Sequence, residues 1–460
     1  MTDGHRPAAT GSPALERRFL LALTAITVLG VAVRVVYVLQ WRRDPTASAV
    51  TRPNDSAYYF HAARLLADGK GFVNPFFSAP GHWYQSADHP PLYQLFLALW
   101  HRVGLGSPTQ LLLATAVLLG GGSVWVAGLA GRVVGGTRVG LLGAGLVALS
   151  PNVWSWDGML LSESMAILTV TTTIWAAYRA WRAPSGWNAA LAGGAASLSA
   201  LSRAELVLLL PFVVAVVLWR RGDDGAARAR RLGAAGAAAV VLLGPWVGYN
   251  MVRFENPVYL SIGFDITLSS ATCDDTYYGP WTGYWSVRCA EAVREEIRAE
   301  HPPSYAVVDG ERREIPVLDQ SEEGRFFRED ALEYIRSHLG RHSVVVLARL
   351  GRAGYLWRPF HVARLDANPE GRDLWVTYAG VWALWALAPL AVAGAVALRR
   401  ARAPLSPLLV PLATVALVVT LTFGTSRYRA SAEPALCLLA AAGADALLRA
   451  WRARRGSAPA

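Results

Sequence analysis

Long apolar blocks, separated by short clusters of charge, make up most of this chain. A run of roughly 17–25 apolar residues is long enough to cross a bilayer as a helix. Ten such candidates lie near 19–39, 109–131, 139–154, 159–178, 187–202, 206–219, 232–252, 374–398, 404–424 and 430–448. The first follows Arg17 and Arg18 and ends at Gln40-Trp41-Arg42-Arg43, which lacks the small residues of a cleavage site and reads as a retained anchor. Two polar stretches interrupt the series, 40–108 and 252–373. They divide the chain into an N-terminal membrane module (1–251) with a large first loop (40–108), a loop domain (252–373) and C-terminal membrane helices (374–460).

Within the second stretch, Phe327, Ala331, Ile335 and Leu339 recur at helical spacing. This predicts an amphipathic helix over Phe326–Leu339, lying on the membrane surface or on the core beneath it. Ser343–Trp357 is apolar too, but Arg349 and Arg352 make it a poor full span. In the first loop, Pro90 and Pro91 suit the start of an apolar helix over Leu92–Val103. The fold class is therefore an all-α polytopic membrane protein of about ten transmembrane helices, with juxtamembrane helices and a smaller outer loop domain.

Arginine placement orients these blocks. Arg17/Arg18, Arg132/Arg138, Arg179/Arg182, the run Arg220, Arg221, Arg228, Arg230 and Arg231, then Arg399/Arg400/Arg402 and Arg449/Arg452/Arg454/Arg455 fall on every second connection. Positive residues favour the cytoplasmic side, so both termini are expected there. The stretches 40–108 and 252–373, and the turns near 155–158, 203–205 and 425–429, are then extracytoplasmic. The net charge of +11 reads as this topology and a match to anionic lipid. Nucleic-acid binding is a poor alternative, because no water-facing arginine-rich face carries interleaved aromatics. Lys70 is the only lysine, and arginine with abundant alanine suggests a GC-rich bacterial genome. The segment 252–373 carries 20 of the 33 acidic residues, as a water-facing folded piece would.

Cys273 and Cys289 bracket an aromatic stretch of that outer segment. In an oxidising compartment a disulfide between them is favoured over a metal pair, since no histidine sits near either thiol at ligand spacing. Cys437, inside the last span, reads as a small buried apolar residue.

Chemistry is expected where polar groups are expensive, at the outer membrane boundary. Asp55, in Asn54-Asp55-Ser56-Ala57-Tyr58-Tyr59, either caps the helix that follows or takes a proton from an acceptor hydroxyl. Ala87-Asp88-His89-Pro90-Pro91 stands further along the same loop. His89 there could donate to a phosphate or be an ordinary interfacial residue. Asp88, His89, His82 and His61 form a weak candidate metal set. Three further polar insertions close or open spans: Asp157 with Ser162-Glu163-Ser164, Ser202-Arg203-Ala204-Glu205, and Ser426-Arg427-Tyr428-Arg429 with Glu433-Pro434. A salt bridge from Arg203 to Glu205 or Glu163 is the bland reading of the middle one.

In order, spacing and placement these motifs resemble the polytopic glycosyltransferases that use polyprenyl-phosphate sugars. These form the GT-C superfamily, of the protein O-mannosyltransferase and aminoarabinose-transferase type. Asn54-Asp55 with Tyr58, Tyr59 and Ala62 matches its first-loop acidic motif, with Ser56 where a second acid is common. His89-Pro90-Pro91-Leu92 matches a Lys-Pro-Pro-Leu-like element, and Ser162-Glu163, Arg203 and Arg427-Tyr428 match later positions. The resemblance implies transfer of a sugar from a lipid phosphate to a cell-envelope acceptor (lipid, glycan or protein), with inversion. Asp55 would be the general base and Glu163 a second catalytic carboxylate. His89, Arg203, Arg427 and Arg429 would hold the lipid phosphate, and Tyr58, Tyr59, Asp88 and Tyr428 would line the substrate site. It names no required cofactor and leaves a divalent metal open. The competing class is a transporter or lipid-linked glycan flippase, with Glu163, Arg203 and Asp445 as a path through the membrane.

Overall fold

A computed structural model describes residues 13–42, 54–218, 224–308 and 310–456. Arg220, Arg221 and part of the first loop, 43–53, lie outside these residues. The N-terminal half places α1 (Pro13–Trp41), α2 (Asp55–Ala67), α3 (Leu92–Arg102), α4 (Pro108–Ala114), α5 (Gly121–Gly135), α6 (Thr137–Leu149), α7 (Pro151–Trp154), α8 (Glu163–Arg182), α9 (Gly186–Ser202), α10 (Leu209–Leu218) and α11 (Gly225–Met251) in order. A π-helical stretch, Thr115–Gly120, joins α4 to α5 without a break. The outer segment holds α12 (Gly263–Ser269), α13 (Asp274–Tyr277), α14 (Val287–Glu300), an antiparallel hairpin of β1 (Ser304–Val308) and β2 (Glu311–Ile315), α15 (Gln320–Ser337), α16 (Leu339–Ala353) and α17 (Pro359–Glu370). The chain closes with α18 (Leu374–Arg400), α19 (Ser406–Leu421), α20 (Ser426–Arg429) and α21 (Glu433–Gly456).

The protein is a multi-pass membrane protein. Among the described residues five helical stretches are long and apolar enough to cross a bilayer: Pro13–Trp41, Pro108–Gly135, Gly225–Met251, Leu374–Arg400 and Ser426–Arg455. Thr137–Leu149 with Pro151–Gly158, bent by 59°, adds a sixth if the pair is one span. The other expected spans are helices as well. They fall short as independent spans because α8 carries Glu163, Arg179 and Arg182, and because α9, α10 and α19 are short. α21 forms the centre, with Ala435–Ala442 buried throughout and Cys437 among them. Gly394 of α18 and Gly443 of α21 let those two backbones touch, since a Cβ at either would strike main-chain atoms of the other helix.

Contacts at the helix ends sort the bundle into two faces. At one, Glu16 pairs with Arg132, Arg182 Nη2 donates to the Val134 carbonyl at 3.5 Å, and Tyr178 Oη donates to the Pro404 carbonyl at 2.6 Å. At the other, Tyr37 Oη donates to Asp373 Oδ2 at 2.7 Å and Arg42 Nε donates to the Gly158 carbonyl at 2.9 Å. The arginine-bearing connections gather at the first face and the polar insertions at the second. Asp445 pairs with Arg449 one helical turn away at 3.0 Å.

The outer segment roofs the second face. The amphipathic helix forms as α15 and begins earlier than the apolar spacing shows, because Asp319 and Glu322 make a capping box ahead of it. Its apolar face packs on α14, with Phe327 against Val293 and Ile297, so it rests on protein beneath it. In α16, Arg349 and Arg352 are fully buried. Arg349 donates to the carbonyls of Thr420 and Ala271, and Arg352 to those of Thr282 and Pro280. Cys273 and Cys289 form a disulfide with a Cα separation of 5.6 Å.

That bond generates a stability prediction. Both thiols should resist alkylation until reductant is added. Cys273→Ser should lower the unfolding temperature of the outer segment, since closing a loop of about 15 residues contributes roughly 3 kcal/mol. Far-UV circular dichroism of the bundle should be retained.

Candidate active site

Five charged side chains from four separate segments form one continuous chain of ion pairs. Asp55 is the first residue of α2. Its helix is capped by Asn54 rather than by Asp55, through Asn54 Oδ1 accepting from the Ala57 N–H at 2.9 Å. The capping reading of Asp55 is thereby replaced: its carboxylate is occupied elsewhere, with Oδ2 2.6 Å from Arg427 Nη1. Arg427 Nε donates to Glu163 Oε1 at 2.5 Å, and the same oxygen accepts from Arg203 Nη1 at 2.5 Å. Arg203 Nε then donates to Glu205 Oε1 at 2.6 Å. Side-chain exposure rises from 0% at Glu163, through 12% and 17% at Arg203 and Arg427, to 23% at Glu205 and 41% at Asp55. The network thus has a sealed floor and a wet rim.

Local structure sets each position. Glu163 opens α8 after the 3₁₀ turn Ser155–Gly158 and the bend 159–162 that follows it. Arg203 sits in extended backbone between α9 and the short 3₁₀ turn Ala204–Leu208. Arg427 lies in α20, whose first turn is held by Asp366: its Oδ2 accepts from the Ser426 N–H at 3.1 Å, and its Oδ1 from Thr425 Oγ1 at 3.0 Å. Arg372 adds a donor to Ser426 Oγ at 3.1 Å. The Arg203 guanidinium also lies over the Tyr428 ring at 5.4 Å.

His89 meets the rim, its Nε2 3.8 Å from Asp55 Oδ1. The ring is fixed by stacking on Tyr59 at 4.8 Å and by the edge of Tyr58 at 5.2 Å. Tyr58 in turn shares a 2.7 Å hydrogen bond with Ser86. Burial raises the Asp55 carboxyl, but the opposing charges of Arg427, His89 and Arg203 outweigh it and hold the group at about 2. With an ordinary value near 3.9, the stability this carboxylate lends is complete above about pH 4 and lost as pH falls through about 2.

Two expected members stand apart. Arg429 is buried, donates to Glu433 Oε1 at 2.5 Å and to the Ala353 carbonyl, and lies over Tyr355; two residues of helix, about 200° of rotation, point it away from Arg427 and into the bundle. Asp88 is tied into the roof: Asn74 Nδ2 donates to it at 3.0 Å and Gln320 Nε2 at 3.1 Å, while Gln320 Oε1 accepts from the Ala87 N–H at 2.9 Å. Burial raises its carboxyl, with His89 opposing. The set Asp88, His89, His82 and His61 is not brought together: among the described residues no group of three or more His, Cys, Asp or Glu side chains is placed to hold a metal ion.

Sequence reasoning passed over Arg34, which is fully buried and bonds Asp157 Oδ2 at 2.6 Å and the carbonyls of Gly30, Ala148 and Val147. An arginine inside an apolar run was signal enough. Gln320 and Asp366 gave none, because their partners are distant in the chain.

Residues 88–249 match the family model described as dolichyl-phosphate-mannose-protein mannosyltransferase. No curated protein matches the chain in sequence. Among solved structures, the apo oligosaccharyltransferase of Archaeoglobus fulgidus aligns over 95% of this chain and 52% of its own, with 15% identity and a TM-score of 0.52. The A. fulgidus oligosaccharyltransferase AglB, in complex with an inhibitory peptide and a dolichol-phosphate, aligns over 98% and 53%, with 15% identity and a TM-score of 0.50. The chain shares the fold of those oligosaccharyltransferases. It spans about half the length of those oligosaccharyltransferases. ArnT from Cupriavidus metallidurans bound to undecaprenyl phosphate aligns over 93% of this chain and 77% of its own, with 16% identity and a TM-score of 0.41. In this chain the ion-pair network sits on the bundle face roofed by the outer segment.

The network predicts an asymmetric response to substitution. Glu163→Gln leaves two partly buried guanidiniums sharing a neutral amide, and should destabilise the protein by about 3–5 kcal/mol, the range for breaking a buried pair. Thermal unfolding in detergent measures this, and the rim substitution Glu205→Gln should cost about 1 kcal/mol or less.

Proposed function

We propose that this protein transfers a sugar from a polyprenyl-phosphate donor to a cell-envelope acceptor, at the extracytoplasmic end of its bundle, with both termini in the cytoplasm. The observation that carries the reading is an exposed carboxylate beside two guanidiniums anchored on one buried glutamate, at one end of an apolar GT-C bundle. Asp55 Oδ1 or Oδ2 takes the proton from the acceptor hydroxyl, and that oxygen attacks the anomeric carbon. The bond from carbon to the phosphate oxygen breaks with its electron pair on the phosphate, inverting the configuration. Arg203 and Arg427 stabilise the charge that develops there, and His89 faces the same rim. Glu163 cannot reach a substrate from its sealed position, so it serves by fixing both guanidiniums. An apolar surface between helices suits the polyprenyl tail. Of the three divisions, the membrane module supplies Asp55, Glu163 and Arg203, the outer loop domain 252–373 the roof, and the closing helices Arg427.

Purified protein incubated with a labelled polyprenyl-phosphate sugar should consume it, and failure across a panel of sugars would refute the assignment. Asp55→Asn should reduce turnover by roughly 10²–10⁴-fold, the usual worth of a general base. Its stability should fall by no more than about 1 kcal/mol, because Asn54 still caps α2 and the lost pair with Arg427 lies at the exposed rim. For sidedness, a cysteine at Val307 should be labelled by an impermeant reagent added outside, and one at Gly225 should not. The reverse pattern would invert the topology.

A further inference from the structure

Each guanidinium of the network has one inner and one outer carboxylate. The inner one is shared: Glu163 Oε1, fully buried, accepts from both Arg203 and Arg427. The outer ones differ. Glu205 holds Arg203 Nε and Asp55 holds Arg427 Nη1, and both reach water. Three carboxylates therefore already face two guanidiniums. An incoming phosphodiester with one negative charge gains nothing by adding to a cluster that is balanced or negative. It can bind well only by exchange. Glu163 cannot leave, because a freed carboxylate at its depth would be unsolvated. Asp55 and Glu205 can, since each is released into water.

On the reading above that the donor carries a phosphodiester, we infer that Asp55 and Glu205 are placeholders for its phosphate, which displaces both from the outer faces of Arg427 and Arg203. His89, 3.8 Å from Asp55 Oδ1, is in place to keep the displaced Asp55 at the rim. No covalent bond changes in this step: two ion pairs exchange for contacts to phosphate oxygens. The exchange has a catalytic consequence. The guanidinium that depresses the proton affinity of Asp55 is taken over by the donor, so Asp55 becomes an effective base only once the donor is seated. Donor binding precedes acceptor activation. Glu205, which touches neither reacting atom, is a positioning residue that sets donor affinity by competition.

The test is a titration of the full-length protein in nanodiscs with a short-chain polyprenyl monophosphate. Removing a competitor should tighten binding, so Glu205→Gln and Asp55→Asn should each lower the Kd, by about ten-fold for one charge-assisted contact freed from competition. Arg203→Gln and Arg427→Gln should weaken it strongly. Glu205→Asp, which keeps the charge but shortens the reach to Arg203, guards against a folding defect and should also tighten binding. In turnover the Glu205 variants should lower KM for the donor. Unchanged or weaker binding in Glu205→Gln and Asp55→Asn, with wild-type unfolding temperatures, would overturn the exchange while leaving the donor assignment intact. A wild-type protein that binds no polyprenyl monophosphate would overturn both.

Discussion

The rest of the site depends on one buried carboxylate, Glu163, with two guanidiniums on a single oxygen. Taking an ionised carboxylate out of water is costly enough that it is tolerated only when well paired. Arg203 and Arg427 are 40 and 264 residues from Glu163 in the chain, so the pairing cannot be made by local structure. It forms only when the start of α8, the α9–α10 junction and α20 arrive together. Assembly of the bundle and assembly of the site are therefore one event.

The bundle is built to make that arrival reproducible. Close approach at Gly394 and Gly443 locks α18 to α21, and a Cβ on Gly193 of α9 would strike the backbone of Ala235 in α11. Arg34 ties α1 to the turn that precedes Glu163 through Asp157. Gly120, in the π-helical stretch, leaves the room this pair occupies, since a Cβ there would meet Arg34 Nε and Asp157 Oδ2. From the roof, Gln320 grips both Ala87 and Asp88 and so holds the strip that carries His89. The outer segment thus stabilises a rim residue without entering the network.

Much of this is legible in the sequence because a membrane makes polar residues expensive. Glu163, Arg203 and Arg427 each interrupt or border an apolar run, and the arginine alternation by itself puts them on one face. What fails to read is register. Arg427 and Arg429 are two residues apart, about 200° around a helix, so one reaches Glu163 and the other points at Glu433. From sequence they are equivalent cations. Likewise Asn54 and Asp55 are comparable caps by residue type, and only the backbone assigns the cap to Asn54 and frees Asp55. The full count of spans is blurred for a related reason: helices shielded by neighbours, such as α8 with its threonines and terminal charges, need not be apolar enough to stand alone in lipid.

Depth then separates roles that local chemistry would make identical. Asp55 and Glu163 are both the first residue of a helix, and Glu205 sits in the first turn of one. Each enjoys the same favourable helix N-terminus. Only Glu163 is walled in on all sides, which makes it a fixed counter-charge. Asp55 keeps 41% of its side chain in contact with solvent, so water can stand in for its ion-pair partner. Pairs of carboxylates divided into different roles by environment are a recurring way to obtain chemistry from ordinary residues. Here the division follows the bundle axis, with the buried anchor inside and, on the reading proposed above, the base at the solvent-reached rim.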